Sequence, residues 1–323
     1  LTPVPELAYW EARARALSRA FDADPNILLV GGYLTLPFNP PDGLLERYMD
    51  RVLWTPTSEA AGAGFAIGAA IGGFRPLVAV NTSSFLFYAW PQIVSEAPNV
   101  RYLSGGRARA PVVFHMFAGS RRAGGVQHEH TPHAMLQNVP GLRIFAPATP
   151  EDVDALIHAA FETEDPVVFI DHVLLAPVRG RVPDHPDPRV GRASMLRDGR
   201  DVLIVSYSYM IQRALEAADR LSERGIDCSV LNLRTIVPLP VEDVLEAAGR
   251  HQSVLFVDES RAAGSPCSLL MARVLERGAS VRARLVCTLD APAPFALELL
   301  DTVVPTTERI VEEIVSLTRP ASS

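Results

Sequence analysis

The sequence predicts an α/β protein made of two domains, each built on a mostly parallel sheet with helices packed against it. Three observations predict it. At 323 residues the chain exceeds what one ordinary core holds. Short β-branched or aromatic runs bounded by Gly, Pro or Asp alternate with stretches of helical periodicity along almost the whole chain. A Pro- and Arg-rich stretch without periodicity, "APVRGRVPDHPDPRVGRASMLRDGR", divides that alternation in two. The expected organisation is a first domain over 1–180, a linker over 181–200 and a second domain over 201–323.

In chain order, "PELAYWEARARALSRAFDAD" carries Leu7, Trp10, Ala14, Leu17 and Phe21 at helical spacing, and "NILLVGG" follows as a strand stopped by two glycines. "RPLVAV", "APVVFHMF", "LRIF" and "DPVVFID" read as further strands, with "TPEDVDALIHAAFETE" a helix before the last of them. Beyond the linker, "DVLIVSYS", "DCSVLNL", "SVLFVDE" and "ARLVCTL" are strands. The helices between them are "YMIQRALEAADRLSERG", "PVEDVLEAAGRH" and "SLLMARVLERG". No repeat and no low-complexity segment interrupts the pattern.

Composition removes several function classes. A net charge of -7 argues against nucleic acid as a partner, because a basic surface is needed to release phosphate counterions. No run reaches the length of a membrane span, and the N-terminal text is unlike a signal peptide, so a cytoplasmic protein with no membrane partner is expected. Cys228, Cys267 and Cys287 have no CxxC spacing and read as buried fillers. All 30 basic residues are Arg. Chemistry that needs a lysine amine, from Schiff bases to the P-loop, is thereby excluded.

One stretch raises a chemical question. In "TPTSEAAGAGFAIGAAIGG" a single acid, Glu59, opens a helix whose smallest residues, Ala60, Gly64, Gly68 and Gly72, recur every fourth position and form one nearly flat face. Glycine in a helix costs roughly 1 kcal/mol relative to Ala, so such a face needs a compensating close approach, either within the domain or at a subunit seam. Glu59 itself is favourable in a first turn, near the positive end of the helix dipole. Further on, four of the eight histidines fall between His115 and His133, and "GGVQHEHTPH" places His128 and His130 on a glycine-rich loop after a strand. Their HxH spacing is also a metal-ligand spacing, but no Cys or second acidic cluster stands nearby. His115, on the strand "VVFHMF", reads as a hydrogen-bonded core residue.

The segments "TPTSEAAGAGFAIGAAIGGFRPLV", "YLSGG", "GGVQH", "VPGLRIFAPATPEDVDALIHAAFETEDPVVF", "DGRDVLIVSYSYMIQRALEAADRLSERGIDCSVLNLRTIVPLP" and "LFVDES" occur in family order and at family spacing. With them the chain resembles the beta subunits of two-component, thiamine-diphosphate-dependent 2-oxoacid dehydrogenases, built like the pyrimidine-binding and C-terminal domains of transketolase. The resemblance implies that Glu59 meets N1' of the cofactor's aminopyrimidine and activates it. It also implies that Phe85 packs on that ring, that Gln92 belongs to the cofactor-binding set, and that His128 faces the substrate with His130, Arg121 and Arg122 beside it. A monovalent cation, potassium, is implied near Val112, Ala160, Phe161, Thr163 and Asp165. The family holds the diphosphate and Mg2+ through a GDG motif on an alpha subunit, and this sequence has no GDG. Half an active site is therefore expected, completed by an alpha partner in an alpha2beta2 heterotetramer, with a lipoyl or acyl-carrier protein as acceptor.

Departures from the family pattern cluster at the substrate end. Gly32 and Tyr33 stand where a second acid is usual, Pro91-Gln92 replaces Asp-Gln, and "QHEH" replaces QHSQ. The reading that follows is decarboxylation of a 2-oxo acid with transfer of the acyl group to a lipoyl or other thiol carrier. One alternative is transketolase-like transfer of a two-carbon ketol unit from a ketose phosphate to a carrier. The other is a non-catalytic scaffold subunit.

Overall fold

A computed structural model describes residues 4–31, 43–120 and 124–319. In chain order the strands are β1 (Glu6–Ala8), β2 (Ile27–Gly31), β3 (Val52–Trp54), β4 (Arg75–Thr82), β5 (Val113–Ala118), β6 (Arg143–Phe145) and β7 (Val167–His172). They continue with β8 (Arg179–Arg181), β9 (Ser194–Arg197), β10 (Val202–Ser206), β11 (Cys228–Asn232), β12 (Thr235–Val237), β13 (Ser253–Arg261) and β14 (Arg282–Thr288). A seven-stranded sheet has the order β12-β6-β7-β5-β4-β2-β3, and a five-stranded sheet the order β14-β13-β10-β11-β9. Every pairing in the larger sheet is parallel except β12 on β6, and every pairing in the smaller one except β9 on β11. The expected α/β class with mostly parallel sheets is what the chain adopts.

Strands buried on both faces explain the near-continuous apolar runs. β7 and β10 are buried at every position, as parallel strands sandwiched between helices must be. One face of the larger sheet packs against the helices Tyr9–Ala23 and Pro150–Glu162 through Phe21, Leu17, Leu156 and Phe169. The other face packs against the helix Glu59–Ile71, and from there the core runs without a break into the second domain through Ile144, Ile236 and Leu203.

Three features differ from the sequence expectation. Leu7 is not in the first helix but in β1, which pairs with β8 at the end of the first domain. Residues 194–197, assigned to the linker by composition, form β9 at the edge of the second sheet. β12 leaves the second domain altogether and extends the first domain's sheet. The switch comes at Arg234, a non-glycine residue with φ of +62°. Its Nε donates to Asp152 Oδ1 at 2.8 Å in a buried ion pair, and Asn232 Nδ2 donates to the other carboxylate oxygen at 2.7 Å.

Candidate active site

The helix Glu59–Ile71 begins where Ser58 Oγ accepts a hydrogen bond from the Ala61 N–H, so Glu59 is its first residue. The half-buried Glu59 carboxylate has no hydrogen bond or ion pair among the described residues. It opens on a cavity of about 710 Å3 that Asn81, Thr82, Phe85, Tyr88, Gly124 and His128 also line. Phe85 sits in the 3-10 segment Ser83–Ala89 that follows β4, with its ring edge-on to the His128 imidazole at 5.5 Å. Three side chains far apart in sequence thus face one space.

The His128 loop is held in place by its neighbours. Thr82, Ser83 and Ser84 grip it in succession: Thr82 Oγ1 donates to the His128 carbonyl at 2.7 Å, Ser83 Oγ donates to the His130 carbonyl at 2.6 Å, and Ser84 Oγ shares a hydrogen bond with His130 Nδ1 at 2.7 Å. Glu129 is buried and accepts from the Gly124 N–H at 3.1 Å, so it braces the loop from within. His128 Nδ1 donates to the Gly124 carbonyl at 3.3 Å, which leaves Nε2 as the ring's free acceptor. Among the described residues no three His, Cys, Asp or Glu side chains converge as metal ligands, so the HxH spacing builds no such cluster.

Residues 5–177 match the family "Transketolase, pyrimidine binding domain" and residues 191–310 match "Transketolase, C-terminal domain". The acetoin:2,6-dichlorophenolindophenol oxidoreductase subunit beta of Cupriavidus necator is 35% identical over 83% of this chain and 80% of its own. The 2-oxoisovalerate dehydrogenase subunit beta of Bacillus subtilis is 34% identical over 90% and 88%. The chain belongs to the family of 2-oxoacid dehydrogenase beta subunits. A solved split-gene transketolase, an inactive beta4 tetramer, shares the fold with a TM-score of 0.78 at 23% identity, over 97% of this chain and 99% of that one.

In this beta-subunit chain the other expected positions divide. Gln92 does not line the Glu59 cavity; it lies beneath Gly64, its Cγ 3.9 Å from where a Cβ would stand there, and its buried Oε1 has no hydrogen-bond partner among the described residues. Arg121 and Arg122 lie outside the described residues, as do Gly32 and Tyr33. His130 turns away from Glu59 into a neighbouring cavity. His115 is a core residue: its Nε2 lies 2.8 Å from Asp171 Oδ2. Burial holds that imidazole below its ordinary range, and although burial works against ionisation of Asp171, His115, Arg13 and the Tyr9 hydroxyl hold its carboxyl at about 2. The cysteines are buried and free, and desolvation pushes the Cys228 and Cys287 thiols up to about 12.

At the expected cation loop, the Val112 carbonyl accepts from the Val167 N–H at 2.9 Å and the Thr163 carbonyl from Arg75 Nη1 at 2.9 Å. Arg101 and Arg143 pair with the Asp165 carboxylate. Ala160 and Phe161 belong to the last turn of the helix Pro150–Glu162, whose carbonyls have no partner within the helix. Sequence reasoning missed Asn81. It interrupts the β4–β5 register with φ of +70° and lines the Glu59 cavity, and backbone held in that region concentrates at functional sites. A polar residue breaking the run "LVAVNT" is the signal that could have found it.

Proposed function

We propose that this chain is the activating half of a thiamine-diphosphate-dependent enzyme. With an alpha partner that holds the diphosphate and Mg2+, it decarboxylates a 2-oxo acid and passes the acyl group to a lipoyl or other thiol carrier. The observation that carries this reading is the Glu59 carboxylate at a helix start, without a partner among the described residues and opening on a cavity that Phe85 and His128 share. A carboxylate without an internal partner has its lone pairs available to a ring N–H, and an aromatic wall beside it suits a flat heterocycle. When bound, thiamine diphosphate would supply an acidic carbon whose conjugate base is the nucleophile for an oxo carbon, and an electron sink for the pair left when carbon dioxide departs.

The chain's own residues do the proton work around that chemistry. Glu59 would give and take a proton at a pyrimidine nitrogen, as a general acid/base fixed by the helix. Phe85 would form a wall for that ring. His128 Nε2, its other nitrogen committed to Gly124, holds or delivers a proton at the oxygen of the donor. A potassium ion would take carbonyls from the last turn of the helix Pro150–Glu162, tightening a loop that arginines already tie.

The exposed Gly68 on this helix supports an alpha2beta2 assembly, because among the described residues nothing stands within 4 Å of a Cβ placed there. Glu59→Gln tests the reading. The variant should assemble and bind cofactor, yet slow hydrogen/deuterium exchange at the cofactor's C2 by about 10²–10⁴. An unchanged exchange rate would reject the role of Glu59.

A further inference from the structure

A second cavity of about 700 Å3 adjoins the first across Phe85, Tyr88 and His128. Its far wall comes from the second domain, where Arg261 ends β13. Arg261 Nη2 donates to the Ala291 carbonyl at 2.7 Å, and Nε lies 3.6 Å from Asp290, which is 99% exposed and screened by water. Nη1 has no partner among the described residues. Across the cavity His130 is anchored through Ser84 and packed edge-on against Phe87 at 5.3 Å. Burial, and then the Arg261 charge, hold its imidazole below the ordinary range, so it is a neutral hydrogen-bonding group at pH 7. The carboxylate in the lining, Glu129, is turned inward onto Gly124. The space therefore carries a fixed cation, a neutral imidazole and aromatic walls.

We propose that this cavity is a subsite for an oxyanion at the far end of the donor, a distal carboxylate or phosphate, recognised by Arg261 and His130. The proposal rests on the preceding reading, in which the donor's oxo carbon reacts in the Glu59 cavity. Aromatic and aliphatic walls suit the carbon chain between the two ends. Arg261 is better suited to a charge that persists through the reaction than to the carboxylate that leaves. Gripping the leaving group would stabilise the ground state more than the transition state. A charge-assisted contact of this kind corresponds to about ten- to hundred-fold in affinity.

The test titrates the assembled, cofactor-loaded complex with 2-oxoglutarate, xylulose 5-phosphate and 2-oxovalerate, the last ending in a methyl group. At least one anionic-tailed probe should bind ten-fold or more tightly than 2-oxovalerate, and which one does distinguishes carboxylate from phosphate. Arg261→Met should reduce that preference to about one-fold, Arg261→Lys should keep part of it, and His130→Asn should erode it from the other domain. Equal binding of all three probes, binding of none, or a preference that survives Arg261→Met would overturn the subsite. Turnover is read separately. An Arg261-dependent preference without consumption of any donor would leave the subsite standing and overturn the thiamine reading, while consumption without that preference would do the reverse.

Discussion

His133 shows at the scale of one residue how position outweighs residue type. It lies on the short helix His133–Leu136, buried against the Tyr207 ring, and among the described residues neither ring nitrogen is hydrogen-bonded. Burial lowers it to about 4, despite the opposing charges of Asp258 and Glu259. In the unfolded chain the same group titrates near ~6.5. Between those values the unfolded state binds a proton that the folded state does not, so stability is full above pH ~6.5 and falls as pH drops toward 4. The expected loss is on the order of 3 kcal/mol. His133→Phe keeps a ring against Tyr207 and should remove that part of the slope. Denaturant midpoints of both proteins from pH 4 to pH 7 check it, and parallel curves would refute it.

Elements meet at the ends of β5 and β7, beside the loop that carries His128. Gly119 follows β5 with φ of +94°, and a Cβ on it would stand 1.9 Å from His172 Nε2. His172 ends β7, stacks on Tyr209 and lies 3.0 Å from Glu259 of the second domain. Glu259 in turn accepts the Ser120 N–H at 2.8 Å. The glycine thus lets two strand ends and a carboxylate from the other domain close on the base of the loop. Gly119→Ala adds backbone strain and displaces His172, for an expected cost of ~2–4 kcal/mol. Equilibrium unfolding of the variant measures it; a change below ~0.5 kcal/mol, as at an ordinary surface position, would show that the contact adapts.

The whole molecule leaves one helix half covered. Gly62, Ala63, Ala66, Ile67 and Ala70 are the buried side of the helix Glu59–Ile71, whereas Gly64 and Gly68 are exposed and nothing stands within 4 Å of a Cβ at Gly68. Phe65 and Ile71 are 53% and 50% exposed on the same helix. Packing among the described residues therefore gives no reason for a glycine at 68, and the proposed subunit seam would supply one. Gly68→Leu should stabilise the isolated chain by about 0.5–1 kcal/mol through helix propensity, yet abolish or weaken assembly by closing the seam. Thermal melting of the chain and sedimentation with the alpha partner give opposite signs if so. A variant that still assembles would place the seam elsewhere.

Local chemistry alone determined the parallel α/β plan of this protein, because strands buried on both faces write themselves as apolar runs between helical stretches. Glu59, Phe85 and His128 were legible through family motifs, and the structure brings all three to one cavity. Gln92 was legible as a motif position but not as a side chain tucked beneath Gly64, since its direction depends on the neighbouring helix. β12, three residues long, carries no signal of the sheet it joins. Asp152 reads locally as a helix-start acid beside Thr149, but Arg234, its partner 82 residues away, comes from a different domain. Arg261, two residues past "SVLFVDE", has no local signal that sets it apart from the other arginines. Only tertiary structure could decide these, because periodicity and capping report contacts within a few residues, while cavities, buried ion pairs and exposed faces are set by which distant segments come to rest beside one another.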